Sequence, residues 1–158
     1  MEVYRLISRR YSLDSEIISG EGAKLYPGRW NHRGTPVVYT AESRSLAVLE
    51  ILVHLDVEEF PDNFVIVPIE IPDDLDITRY EVRNLEKQWN AYPFTGYTQD
   101  SGHMWVIKKE TAVLSVPSAI VPDERIYILN PLHPDFSKIK VGQWERFVFD
   151  ERLYKNRA

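Results

Sequence analysis

The stretch PGRWNHRGTPVVYTAESRSLAVLEILVHL, residues 27–55, changes character twice. Gly28, Gly34 and their polar neighbours mark a loop, and PVVYTA at 36–41 reads as a strand entered through Pro36. Ser43 or Ser45 then caps a helix expected over 44–55. On a helical wheel Leu46, Leu49 and Val53 share one face, while Val48, Leu52 and Leu55 cover much of the other. A helix apolar nearly all round is expected to be buried, which makes Glu50 conspicuous. An ionised carboxylate left unpaired there costs several kcal/mol or is driven to hold its proton. Two accounts of Glu50 stay open: a buried ion pair with Arg or Lys, or a cleft carboxylate that works on a substrate. His54, one turn further along, is within reach of the same cleft, but its default role is that of a hydrogen-bonded core histidine.

Two residues upstream raise the same choice. Arg29 follows Gly28 in the loop. Its planar fork of donors suits phosphate and glycine lets the backbone approach closely, although a surface arginine is the plainer account. Trp30 is expected to anchor packing. Tyr39 shares a sheet face with Val37, so its ring belongs either to the core, with a hydroxyl needing a partner, or to the wall of a ligand cleft.

Outward from this stretch, VYRLIS at 3–8 reads as a strand and 12–35 as loop or short helix. FVIVPIEI at 64–71 is a second clear strand, whose Pro68 points to an edge or a bulge. A short helix is expected near 84–90 and another at 101–110, SGHMWVIKKE. TAVLSVPSAIV at 111–121 reads as two short strands or one broken at Pro117. RIYILNP is a strand, HPDFSKI a turn, and RFVFDERL a terminal strand near 146–151. Strands and few helices without regular alternation give an α+β fold, and 158 residues without repeats or a linker give one domain, 1–158.

Composition narrows the function. With no cysteine, disulfides, thiolate nucleophiles and cysteine–zinc sites fall away. The net charge of −5 argues against nucleic acid as a direct partner; the nearest basic group, Arg5, Arg9 and Arg10, is small. No apolar run is long enough to span a bilayer and the N-terminus lacks the layout of a signal peptide, so a cytoplasmic location is expected. The common hydrolase, zincin and nucleotide-loop templates are missing, and the histidines at 32, 54, 103 and 133 have no compact metal spacing. No metal is expected.

The block G-R-W-N-x-x-G-x-P-V-V-Y-T-A-x-S-x-S-L-A-x-L-E at 28–50 strongly resembles the RES domain family, bacterial toxins usually encoded beside an Xre-type antitoxin. Y-R at 4–5, V-P-S-A at 116–119, L-N-P-x-H-P-D-F at 129–136 and F-x-F-D-x-R-L at 147–153 continue it in order. The resemblance implies a fold similar to ADP-ribosyltransferase toxins, with NAD+ as substrate and cleavage of its nicotinamide–ribose bond. Family members hydrolyse or phosphorolyse NAD+, and at least one type transfers ADP-ribose to a protein. It further implies a polar pocket of Arg29, Tyr39 and Glu50. Ser118, in preference to Ser115, would hydrogen-bond the ligand, and Arg5 would add a phosphate contact. The acceptor, a protein target and homodimerisation stay open, as does a non-catalytic binding module on the same fold.

Overall fold

The computed structural model describes residues 1–11, 14–55 and 63–153. In chain order the elements are β1 (Glu2–Ser8), α1 (Asp14–Ile17), α2 (Glu21–Leu25), β2 (Val38–Ala41), α3 (Arg44–Leu52), β3 (Phe64–Glu70) and β4 (Ile77–Arg79). They continue with α4 (Gly96–Lys108), β5 (Val113–Pro117), β6 (Arg125–Leu129), β7 (Lys140–Val141) and β8 (Glu145–Phe147). The strands form one mixed sheet in the order β4-β5-β6-β2-β1-β3-β7, with β8 also paired to β3. Only the β4–β5 pairing is parallel among them. This is the α+β architecture expected.

Side chains alternate across a strand, and here both faces of the sheet are covered. Leu6, Phe64, Ile66, Leu114, Val116 and Ile128 point to one face, where α3 brings Leu46, Ala47 and Leu52 and α4 brings Trp105 and Val106. Val3, Val65, Val67, Ile69, Val113 and Leu129 point to the other, closed by Ile17, Ile71, Leu75 and Ile139. Double coverage is why FVIV is a continuous apolar run instead of an alternating one.

Several expectations shift. Helix α3 is capped by Ser43, whose Oγ accepts from Leu46 N at 3.1 Å, but it stops at Leu52. Nor is it buried all round: Leu46, Ala47 and Leu52 pack inward, whereas Val48, Leu49, Glu50 and Ile51 are only partly buried. The side carrying Ala47, Glu50 and Ile51 borders a cavity, a use that an apolar wheel does not reveal. Pro68 is not in an edge strand, because β3 lies between β1 and the β7/β8 pair. β8 pairs with Phe64–Ile66 and β7 with Ile69–Glu70, and the proline falls in the interval between them, where no ladder donor is required. Helix α4 begins at Gly96, ahead of the expected 101, while the helix expected near 84–90 is a 3-10 turn at Val82–Asn84. The C-terminal strand keeps only Glu145–Phe147, after which Phe149 turns into the core against Phe64 at 5.3 Å.

Candidate functional site

β1 and β2 are registered at a single pair, Tyr4 with Ala41, and then part. A cavity of about 910 Å³ opens along that split and is bordered by Arg5, Arg29, Tyr39, Glu50 and His54. Small-molecule sites typically span roughly 300–1,000 Å³, so this one has room for a large ligand. Apolar and aromatic groups, among them Trp30, Phe94 and Ile126, make up much of the remaining wall.

Glu50 projects from the stripe Ala47, Glu50, Ile51, His54 of α3 and the turn that follows it, which runs along the cavity at helical spacing. Burial pushes its carboxyl above the ordinary range; a hydrogen bond from Ser118 and the charges of His54 and Arg29 oppose that rise. The Ser118 hydroxyl donates to Glu50 Oε1 at 2.7 Å and accepts from the backbone N–H groups of Ile120 and Val121 at 3.1 and 3.0 Å. Both acceptor positions and the one proton of the hydroxyl are thereby used. Ser118, expected to hydrogen-bond the ligand, is joined here to Glu50. Ser115 is elsewhere: its Oγ accepts from Arg125 Nε at 3.0 Å and it does not border the cavity.

Arg29 reaches Glu50 through charge and not through an ion pair. Its Nη1 donates to the carbonyls of Trp89 and Ala91, both at 2.8 Å, and its guanidinium lies over the Phe94 ring at 5.8 Å. Those carbonyls fix one edge of the fork. Burial lowers its pKa, with Glu50 and Tyr39 opposing.

The loop that carries Arg29 is held from three sides. The Tyr39 hydroxyl accepts from Trp30 N at 2.9 Å and donates to Asn31 Oδ1 at 2.8 Å, and burial raises the phenol far above its ordinary pKa. Fully buried Asn31 also accepts from Gly28 N and donates Nδ2 to the carbonyls of Ala23 and Thr35. Gly28 is required because a Cβ there would stand 2.9 Å from the Tyr39 hydroxyl. From α4, Gln99 Nε2 donates to the carbonyls of Gly28 and Asn31, and a side chain on Gly102 would collide with the Trp30 carbonyl. Asn31, Gln99 and Gly102 escaped the sequence analysis. The only local signal was the asparagine closing G-R-W-N; nothing in the text around α4 couples it to a loop some 70 residues earlier.

Arg5 lies in the split between β1 and β2. One terminal nitrogen donates to Tyr39 O at 3.3 Å, whereas Nε is fully enclosed and has no partner among the described residues. Burial lowers its pKa to about 10, and no described residue supplies an opposing charge. A cation kept from water beside a cavity, without a counter-charge, favours an anionic ligand. The other two arginines of the supposed basic group are used separately: Arg9 covers Trp144 and Arg10 covers Tyr11.

His54 departs from its default as a core residue. Its side chain is exposed, borders the cavity and packs near the Tyr92 ring at 6.5 Å. The chain beyond Leu52 has left the helix here, so the imidazole stands at the rim and not in the core.

Among the described residues no helix is long and apolar enough to cross a membrane. The model of the RES domain family matches residues 2–150. The chain is 37% identical over 155 residues to a Sphingobium sp. protein named Prs ADP-ribosylating toxin, covering 96% of both. To a protein named Toxin Res from Photorhabdus laumondii it is 42% identical over 156 residues, covering 98% of both. Its fold is similar to a chain in the crystal structure of the M. tuberculosis MbcT–MbcA toxin–antitoxin complex, with a TM-score of 0.72 at 19% identity, over 98% of this chain and 86% of that one. With a family model spanning nearly its whole length and relatives this similar over the same span, the chain belongs to the RES domain family.

Proposed function

We propose that this chain is a bacterial toxin that consumes NAD+ by breaking the nicotinamide–ribose bond, by hydrolysis or phosphorolysis, and that a cognate Xre-type antitoxin neutralises it. The observation that carries this is the pairing, in one cavity, of a half-buried carboxylate with two arginines, one of them lacking a counter-charge among the described residues. NAD+ has the matching parts: a pyrophosphate for the cations and a ribose carbon that becomes positive as nicotinamide leaves. Arg5 and Arg29 hold the pyrophosphate and so position the bond. Ionised Glu50 faces the oxocarbenium-like carbon, where a negative charge stabilises the transition state more than the ground state. Tyr39 fixes the Arg29 loop with its hydroxyl and offers its ring to the nicotinamide or ribose. A cytoplasmic location accompanies this activity.

Purified protein is expected to release nicotinamide from NAD+, and Glu50→Gln to lose that release while staying folded. Full turnover by a folded Glu50→Gln variant removes Glu50 from the mechanism. A second function, transfer of ADP-ribose to a protein target by the same site, is favoured by the name of the 37% identical Sphingobium relative. Labelled NAD+ in cell lysate separates the two: one discrete labelled band means transfer, and free ADP-ribose or its 1″-phosphate means small-molecule turnover. No labelled band, no nicotinamide and no loss of cellular NAD+ on expression would leave a binding module.

A further inference from the structure

Among the described residues that border the cavity, Glu50 is the one carboxylate and His54 the one imidazole. They stand one helical turn apart, and His54 is near enough for its charge to act on Glu50. Unlike Glu50, His54 sits at the exposed rim, beside Tyr92, which is 77% exposed. Its side chain has no hydrogen bond to a described residue, which leaves its ring nitrogens uncommitted among the described residues. The rim is where a second reactant enters once NAD+ fills the interior.

Breaking a glycosidic bond toward water requires two services. A negative charge must face the ribose carbon, and a base must take the proton of the attacking water. Glu50 serves the first of these best while it stays ionised, because taking the proton would discharge it as the positive charge develops. Ser118 already donates to one of its oxygens.

We infer that His54 is the acceptor-side base, taking the proton from the water that attacks the ribose carbon. The assignment rests on NAD+ being the substrate. In the step, the water oxygen bonds to C1″ of the ribose while the C1″–N bond breaks. Its electron pair goes to the pyridinium nitrogen, nicotinamide leaves neutral, and the water proton passes to an imidazole nitrogen. A phosphate dianion arriving by the same route carries no proton that must be removed, so His54 has no equivalent task in phosphorolysis.

The test measures nicotinamide release and the mass of the sugar product for wild type, His54→Ala and His54→Gln, without and with inorganic phosphate. General-base removal predicts that ADP-ribose formation falls about 100-fold in both variants. Formation of the 1″-phosphate and the KM for NAD+ stay within about threefold, since neither uses the base. Added imidazole restores hydrolysis in His54→Ala but not in Glu50→Gln. Undiminished hydrolysis in the variants, an equal loss of both products, no rescue by imidazole, or a wild type that makes only the phosphate adduct would each overturn the assignment. A wild type that releases no nicotinamide under any condition overturns the NAD+ substrate itself, a distinct result.

Discussion

Ser118 donates its hydroxyl proton to Glu50 Oε1 at 2.7 Å and receives the N–H groups of Ile120 and Val121 on its own oxygen. The two residues are 68 positions apart, one on α3 and the other just past the end of β5. Because the backbone donors occupy the oxygen, the proton has one direction left, and it serves the ionised form of Glu50.

Ser118→Ala is therefore expected to lower kcat for nicotinamide release while KM for NAD+ changes little. Two backbone N–H groups also lose their acceptor, and stability falls by about 1–3 kcal/mol. The Ser118 bond lowers the pKa of Glu50, so removing it raises that pKa further. Activity requires the ionised carboxylate and is lost as pH falls through its pKa. The acid limb of the kcat/KM profile therefore moves to higher pH in the variant. An unmoved limb with a raised KM would mean that Ser118 binds ligand instead.

Glu50→Gln has a stability signature distinct from its effect on activity. Burial raises the Glu50 pKa above the unfolded value, so the folded state holds the proton more tightly. Its ionisation destabilises the fold progressively as pH rises from the unfolded pKa through the folded one. Glutamine avoids that cost. Thermal melts from pH 4 to pH 7 should show Glu50→Gln gaining on the wild type toward neutrality, with a smaller gap at the acid end.

Tyr39→Phe keeps the ring and deletes the hydroxyl that joins Trp30 N to Asn31 Oδ1. If the hydroxyl anchors the Arg29 loop, stability drops by about 1–3 kcal/mol and turnover falls with it. If only the ring matters, neither changes. Chemical denaturation and nicotinamide release on the same preparation distinguish the two.

Arg5→Met removes a buried charge that has no counter-ion among the described residues, together with the Nε that has no partner among them. The apo protein should lose less than about 1 kcal/mol, while KM for NAD+ rises at least tenfold through the lost anion contact. A Met variant that binds NAD+ normally would take Arg5 out of the pyrophosphate site.

Gly102→Ala tests how tightly α4 holds the loop. The added methyl collides with the Trp30 carbonyl, and neither backbone can yield without moving Arg29's loop. Destabilisation of more than about 2 kcal/mol is expected, together with reduced turnover, in thermal melts and the same assay.

The sequence by itself determined the passage from a strand at 36–41 to a helix expected over 44–55, the α+β class, Ser43 or Ser45 as the helix cap, and the oddity of Glu50 among aliphatic neighbours. Each is a local matter of periodicity, capping and composition, carried by residues within a few positions of one another. The family resemblance pointed to Arg29, Tyr39, Glu50, Ser118 and Arg5, and the fold brings four of them to one cavity with Ser118 directly behind Glu50. Tertiary structure decided what each of them does there. Ser118 faces Glu50, the Tyr39 hydroxyl is committed to the loop, and His54 stands at the rim because α3 ends at Leu52. The clamp of Gln99 and Gly102 on the Arg29 loop arises from contacts across about 70 residues of chain, set by how α4 lies on that loop. Local sequence patterns carry no record of such pairings, because the free energy that makes them appears only when distant segments pack.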